Sequence, residues 1–205
     1  MRSSYSFEYL KIATFLLIIT DISVTSFEDN TLKCFLRSSN NTSGYLYATD
    51  EKDSSTFDRI ITAHSLDYVN DTNFIKWELI NTGERYNYLL RNIKYNEFLC
   101  AKYYTNSKKL NHKVIGWKLK FAKDQMINIY GHMVKVLDMM KSEKKCIWRI
   151  KKLKNKRYSI INFQYNERLV AVPHDEPKSV FTTKNFTRNS TRTSWLIDCI
   201  TIDFD

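Results

Sequence analysis

Two segments of the chain carry the same residue pattern. YLLRNIKYNEFLCA spans 88–101 and YSIINFQYNERLVA spans 158–171, with Tyr, Asn, Tyr-Asn-Glu, Leu and Ala at identical offsets. A degenerate third copy, CFLRSSNNTSGYLYA at 34–48, keeps Leu46 and Ala48 in register and has one extra residue in its turn. Each copy continues in the same way, through a polar turn and an apolar pair (Ile60-Ile61, Val114-Ile115, Val180-Phe181) to a tryptophan in an alternating run (Trp77, Trp148, Trp195). Short alternating runs bounded by Asn, Asp, Ser and Lys read as strands and hairpins, about four to a copy and about twelve in all. One such unit cannot bury its own apolar face, whereas three around an axis can. The expected fold is all-β: a β-trefoil with pseudo-repeats at about 32–82, 83–155 and 156–203. Leu46, Leu99 and Leu169 with Trp77, Trp148 and Trp195 are its expected equivalent core positions.

The middle copy is the longest. Between Trp117 and Cys146 lie two apolar alternations, MINIY and MVKVL. They read as a hairpin around Tyr130-Gly131-His132 followed by a long basic loop, with a short helix over Val136–Met140 as the alternative.

Residues 12–20 (IATFLLIIT) form a short apolar run after Arg2 and Lys11, with small residues following at Val24-Thr25-Ser26. That arrangement describes a cleaved signal peptide over 1–26, leaving 27–205 as a single trefoil domain. The run falls short of the ~20 residues that span a bilayer. In an exported chain the Asn-x-Ser/Thr sites at Asn40, Asn41, Asn70, Asn185 and Asn189 become candidate glycan acceptors. The four cysteines, Cys34, Cys100, Cys146 and Cys199, then default to disulfides, with three possible pairings. A trefoil brings first and last strands together, which favours Cys34 with Cys199 and leaves Cys100 with Cys146. No Cys-x-x-Cys or Cys/His zinc spacing occurs, so no metal is expected.

At YNEFLCA (95–101) and YNERLVA (165–171), with Val114-Ile115-Gly116-Trp117 downstream, the chain resembles a group of secreted insect β-trefoil proteins. The group's pattern is Y/F-x-I/L-x-N, then YNE-x-L-x-A, then R-x-V-F-T-W. It includes the cysteine- and tryptophan-rich salivary proteins of mosquitoes and biting flies, and the trefoil half of the moth low-molecular-weight haemolymph lipoproteins has a similar repeat. The resemblance covers about residues 32–200. It departs at 43–45, where SGY replaces YNE, and at Thr182-Thr183, where Thr-Trp would stand. It implies an insect secretion such as saliva, and a role against host haemostasis or inflammation. It brings no shared catalytic residues. The moth proteins' helical domain has no counterpart here, so their lipid carriage is not implied. The Gln-x-Trp of ricin-type lectins is also missing from the sequence.

Catalytic signatures are lacking. There is no G-x-S-x-G, H-E-x-x-H or phosphate-binding glycine loop, and His64, His112, His132 and His174 are dispersed. His174-Asp175-Glu176, between Pro173 and Pro177, reads as a solvated turn. Glu97 and Glu167, at equivalent repeat positions, read as turn residues in which the carboxylate or the preceding Asn caps backbone N–H groups. Neither an enzyme nor a cofactor is expected.

Charge is the stronger functional signal. The chain carries a net charge of +10, and nine basic side chains crowd 141–157 against Glu143 alone: Lys141, Lys144, Lys145, Arg149, Lys151, Lys152, Lys154, Lys156 and Arg157. Such a strip attracts polyanions in a salt-sensitive way, and outside the cell these are anionic glycans such as heparan sulfate. Its lysine bias favours diffuse over geometrically specific recognition. A solvated basic face is the competing reading. Export sets a genomic nucleic-acid target aside. The expectation is a secreted, monomeric, non-catalytic protein that binds an anionic glycan, a host extracellular protein or a small mediator. The alternatives are a protease inhibitor acting through the Pro173–Pro177 loop or the basic loop after Met140, and a haemolymph or storage protein.

Overall fold

In the computed structural model the described residues are 31–39, 44–102, 111–118, 126–129, 132–172, 178–184 and 193–200. Along the chain come β1 (Thr31–Ser38), β2 (Tyr45–Lys52), β3 (Arg59–His64) and β4 (Lys76–Asn81), then β5 (Asn87–Asn92), β6 (Glu97–Lys102) and β7 (Asn111–Lys118). An insertion follows, made of β8 (Met126–Ile129), β9 (His132–Lys135) and helix α1 (Val136–Ser142). The chain returns through β10 (Ile147–Lys152), β11 (Tyr158–Asn162), β12 (Glu167–Ala171), β13 (Lys178–Thr183) and β14 (Trp195–Ile200).

The alternation within each strand decides its faces. In β1, Cys34, Leu36 and Ser38 are buried while Lys33, Phe35 and Arg37 are partly exposed. Six strands close into a barrel in the antiparallel order β1–β4–β5–β10–β11–β14 and back to β1. The hairpins β2–β3, β6–β7 and β12–β13 cap one end. Their second strands pair around a triangle, β3 with β7, β7 with β13 and β13 with β3. A closed six-strand barrel capped by three hairpins is the β-trefoil.

Its symmetry is visible at the tryptophans. Trp77, Trp148 and Trp195 have no exposed surface. Each donates its indole N–H to the backbone carbonyl of its own repeat's leucine: Leu46 at 2.9 Å, Leu99 at 2.7 Å and Leu169 at 3.0 Å. A buried indole needs that acceptor, so Trp and Leu recur together. The three leucines share the same fully buried core.

The YNE turns have a shared mechanism as well. Asn92 and Asn162 accept the N–H of Tyr95 and Tyr165 on Oδ1, each at 3.2 Å. Asn96 and Asn166 take left-handed backbones, φ 55° and 52°, which asparagine tolerates better than most residues.

The insertion corrects one expectation. Its hairpin is there, with Ile129 paired to His132, but the segment after it is no long loop. Helix α1 runs to Ser142, and a 3-10 turn at Lys144–Cys146 leads into β10. Leu137 and Met140, three apart on one helical face, pack with Ile80, Leu89, Phe98, Ile115 and Ile147 on a second apolar cluster. That burial favours the helix over a basic loop. The structure joins Cys34 to Cys199, cross-strand partners on β1 and β14, and Cys100 to Cys146, which ties β6 to the end of the insertion.

Candidate functional site

The basic strip divides into two parts. In the first, Lys141 lies 3.4 Å from Asp138, and Lys145 lies 3.5 Å from Glu143 with its ammonium 4.4 Å from the Trp117 ring centroid. Arg149 stands over Phe163 at 5.3 Å. These three cations are committed to the packing of the insertion and of β10, while Lys144 is exposed on the 3-10 turn.

The second part is the β10–β11 hairpin. Lys151, Lys152, Lys154 and Lys156 are all exposed, and Arg157 is partly buried at its base. None of the four lysines has an acidic partner among the described residues. Lys151 and Lys152 sit on opposite faces of β10 because side chains alternate along a strand. Lys154 and Lys156 occupy the turn. There Asn155 and Lys156 have consecutive left-handed backbones, φ 58° and 55°, and the Arg157 N–H meets the Lys154 carbonyl at 3.4 Å. The tip therefore presents ammonium groups held apart in water.

The two buried glutamates have a role that the sequence did not disclose. Neither Glu97 nor Glu167 is a turn cap; the turn N–H groups go to Asn92 and Asn162. Glu97 instead receives Arg59 at 2.7 Å, and Arg59 also donates to the Thr49 carbonyl at 2.7 Å. Glu167 lies 2.6 Å from His112 Nδ1 and accepts the Thr182 hydroxyl at 2.6 Å. Gly116 is required beside the first pair, since a Cβ there would stand 2.9 Å from Glu97 Oε2 and 3.1 Å from Arg59 Cβ. Tyr95 lies over Arg59 with 3.3 Å to its ring centroid, and Tyr165 stacks on His112 at 3.8 Å. Arg59–Glu97 is a structural ion pair between repeats, and His112–Glu167 is a structural hydrogen bond between repeats.

An aromatic seam flanks the first pair. Tyr47 stacks on Phe74 at 5.3 Å, Phe74 meets Tyr95 at 5.7 Å, and His64 meets Tyr47 at 4.6 Å. Burial, then Asp50 and Asp71, push the Tyr47 hydroxyl above its ordinary range. Burial and the hydrogen bond it donates to Asp50 raise the Tyr95 hydroxyl much further. The ring faces are turned on one another, on Arg59 and on Lys94, so the seam is packing and no open stacking platform. Aromatics at strand positions gave no sequence signal of this cluster, because their partners come from separate strands.

Among the described residues no three of His, Cys, Asp and Glu converge where a metal ion could sit. The Pro173–Pro177 loop with His174, and the sequons at Asn40, Asn41, Asn185 and Asn189, lie outside the described residues. Asn70 is exposed on a bend between two 3-10 turns. No described helix is long and apolar enough to cross a membrane.

No protein-family model matches the chain, and no characterised protein matches its sequence. Solved structures share its fold. The designed threefold-symmetric protein ThreeFoil matches with a TM-score of 0.57 at 12% identity, over 81% of this chain and 97% of its own. A Culex quinquefasciatus salivary protein of the Cysteine and Tryptophan-Rich family matches at 0.54 and 16% identity, over 83% of this chain and 95% of its own. A Polyporus squamosus lectin, bound to a sialylated epitope, matches at 0.54 and 16%, over 80% of this chain and 48% of its own. At these identities the likeness is one of fold.

Proposed function

We propose that this is a secreted, non-catalytic binding protein that holds anionic glycans on the β10–β11 hairpin. The observation that carries this reading is the set of four exposed lysines, Lys151, Lys152, Lys154 and Lys156, without acidic partners among the described residues. A lysine ammonium is a compact point charge on a flexible stem. Several together suit a sulfated or carboxylated chain with irregular spacing better than one planar anion. The net charge of +10 adds long-range attraction, which weakens once salt brings the screening length to about 8 Å at physiological strength.

Export is supported by the leader-like 1–26 segment and by two disulfides, which belong to oxidising compartments. The salivary and lectin structures of the same fold support an extracellular binding role and a carbohydrate partner. Asn70 is the sequon we assign first as a glycan acceptor, being exposed.

The test is heparin-affinity chromatography of the oxidised, glycosylated protein over a salt gradient. Elution above about 0.15 M salt is expected, with Lys151→Gln/Lys154→Gln/Lys156→Gln eluting well before it. Equal elution of the two proteins makes the hairpin a merely solvated face.

A further inference from the structure

We propose that the open end of the barrel, opposite the hairpin cap, binds a small amphipathic anion: an apolar or aromatic body with one carboxylate, sulfate or phosphate paired to Lys152. A cavity of about 300 Å³ lies there, at the lower end of the roughly 300–1,000 Å³ typical of small-ligand sites. Each of the six barrel strands contributes a wall residue: Leu32, Leu79, Tyr88, Ile150, Tyr158 and Ile197. Leu79, Ile150 and Ile197 each stand two residues after their repeat's tryptophan, so they form one ring on the pseudo-threefold axis. The buried tryptophans lie one pleat deeper on the same faces.

The next positions outward on these strands are Asn81, Lys152 and Cys199, and here the symmetry breaks. Lys152 is the single charged residue in the lining, which contains no acid. Two apolar residues remain in water at the rim, Leu32 at 46% and Tyr86 at 48% exposure. Tyr86 is held there by a left-handed backbone, φ 67°, a conformation that costs a non-glycine residue about 1–2 kcal/mol. Its carbonyl accepts the Ile150 N–H at 2.9 Å, and the Arg85 guanidinium lies 4.8 Å from its ring centroid. Apolar walls, a second cation at the rim and no opposing carboxylate define the class of occupant. A polyhydroxylated glycan chain does not suit these walls, so this site goes beyond the lysines of the hairpin tip.

The experiment titrates two fluorescent probes into the oxidised full chain: 1-anilinonaphthalene-8-sulfonate and its neutral counterpart N-phenyl-1-naphthylamine. Saturable one-to-one binding of the sulfonate is expected. Lys152→Gln weakens the sulfonate about tenfold, the scale of one charged hydrogen bond, and leaves the neutral probe unchanged. Leu32→Trp, at a half-exposed rim position, weakens both probes. Tyr86→Asn, which relieves the left-handed backbone and removes the ring, also weakens both while keeping the fold. Absence of saturable binding overturns the proposal, as does wild-type binding in Tyr86→Asn or equal effects of Lys152→Gln on both probes. The Lys151→Gln/Lys154→Gln/Lys156→Gln protein retains probe binding, so failure at the hairpin and failure at the barrel mouth are read separately.

Discussion

Arg59 and Glu97 meet across the boundary between the first and second repeats, bound through two parallel N–H···O contacts of 2.7 and 3.2 Å. The relation belongs to the trefoil symmetry. Arg59 pairs in register with Gly116, His112 with Thr182 and Lys178 with Ala63, so these three positions are equivalent. The acids that Arg59 and His112 face, Glu97 and Glu167, are equivalent as well. In the first repeat Gly44 takes that position, and the acid is lost there.

Breaking this pair by removing one partner leaves a buried charge, which costs about 3–5 kcal/mol. Glu97→Ala is therefore expected to lower stability by that amount in urea denaturation. The double variant Arg59→Ala/Glu97→Ala should recover much of the loss. If it does not, the two side chains act separately, and the pairing is incidental.

The fold was legible because the strongest physical demands repeat. A buried indole needs an acceptor and a tight turn needs an αL asparagine, and both demands left Trp, Leu and Asn at fixed offsets. The partners of Glu97 and Glu167 were not legible, because Arg59 and His112 are contributed by neighbouring repeats through a register that local patterning does not encode. Helix α1 was obscured for another reason: in MVKVLDMM, strand alternation and an i,i+3 apolar face share residues, and docking of Leu137 and Met140 decides. The barrel mouth was illegible since its walls come from six separate strands. The lysine-rich hairpin could be read directly because its charge lies in one continuous segment.

Lys156 separates charge from strain. It carries a left-handed backbone, φ 55°, that glycine adopts without penalty. Lys156→Gly is expected to raise stability by about 1 kcal/mol while lowering the salt needed to elute the protein from heparin. A stability loss would mean that the stem of Lys156 packs. Unchanged elution would remove this residue from the binding surface.

Acid should weaken contacts around the first repeat. The hydrogen bond from Lys113, at 2.7 Å, and then those from Ser55 hold the Asp53 carboxyl far below the usual carboxylate range. The backbone N–H of Asn73, and then Lys94, lower that of Asp71. Both groups have depressed folded-state values, so their stabilisation is complete above the unfolded value of about 3.9 and is lost as pH falls below it. Asp53→Asn should therefore be less stable than the parent at pH 6, with the gap narrowing by pH 2. A gap that stays constant with pH would remove Asp53 titration from the account.

The two disulfides should open in a fixed order. Cys100 and Cys146 have no exposed surface, whereas Cys199 is exposed and only its partner Cys34 is buried. Thiolate attack requires access to a sulfur, so mild reductant is expected to open Cys34–Cys199 first, as read by alkylation and peptide mass analysis. The chain-entropy estimate assigns about 5 kcal/mol to that bridge, which closes 165 residues, and about 4 kcal/mol to the other, which closes 46. The more accessible bridge is thus also the one whose loss should lower the unfolding midpoint more. Cys199 lines the barrel mouth, so 1-anilinonaphthalene-8-sulfonate at saturation should slow reduction of this bridge and leave Cys100–Cys146 unaffected. Equal protection of both bridges would indicate global stabilisation, and protection of neither would place the probe elsewhere.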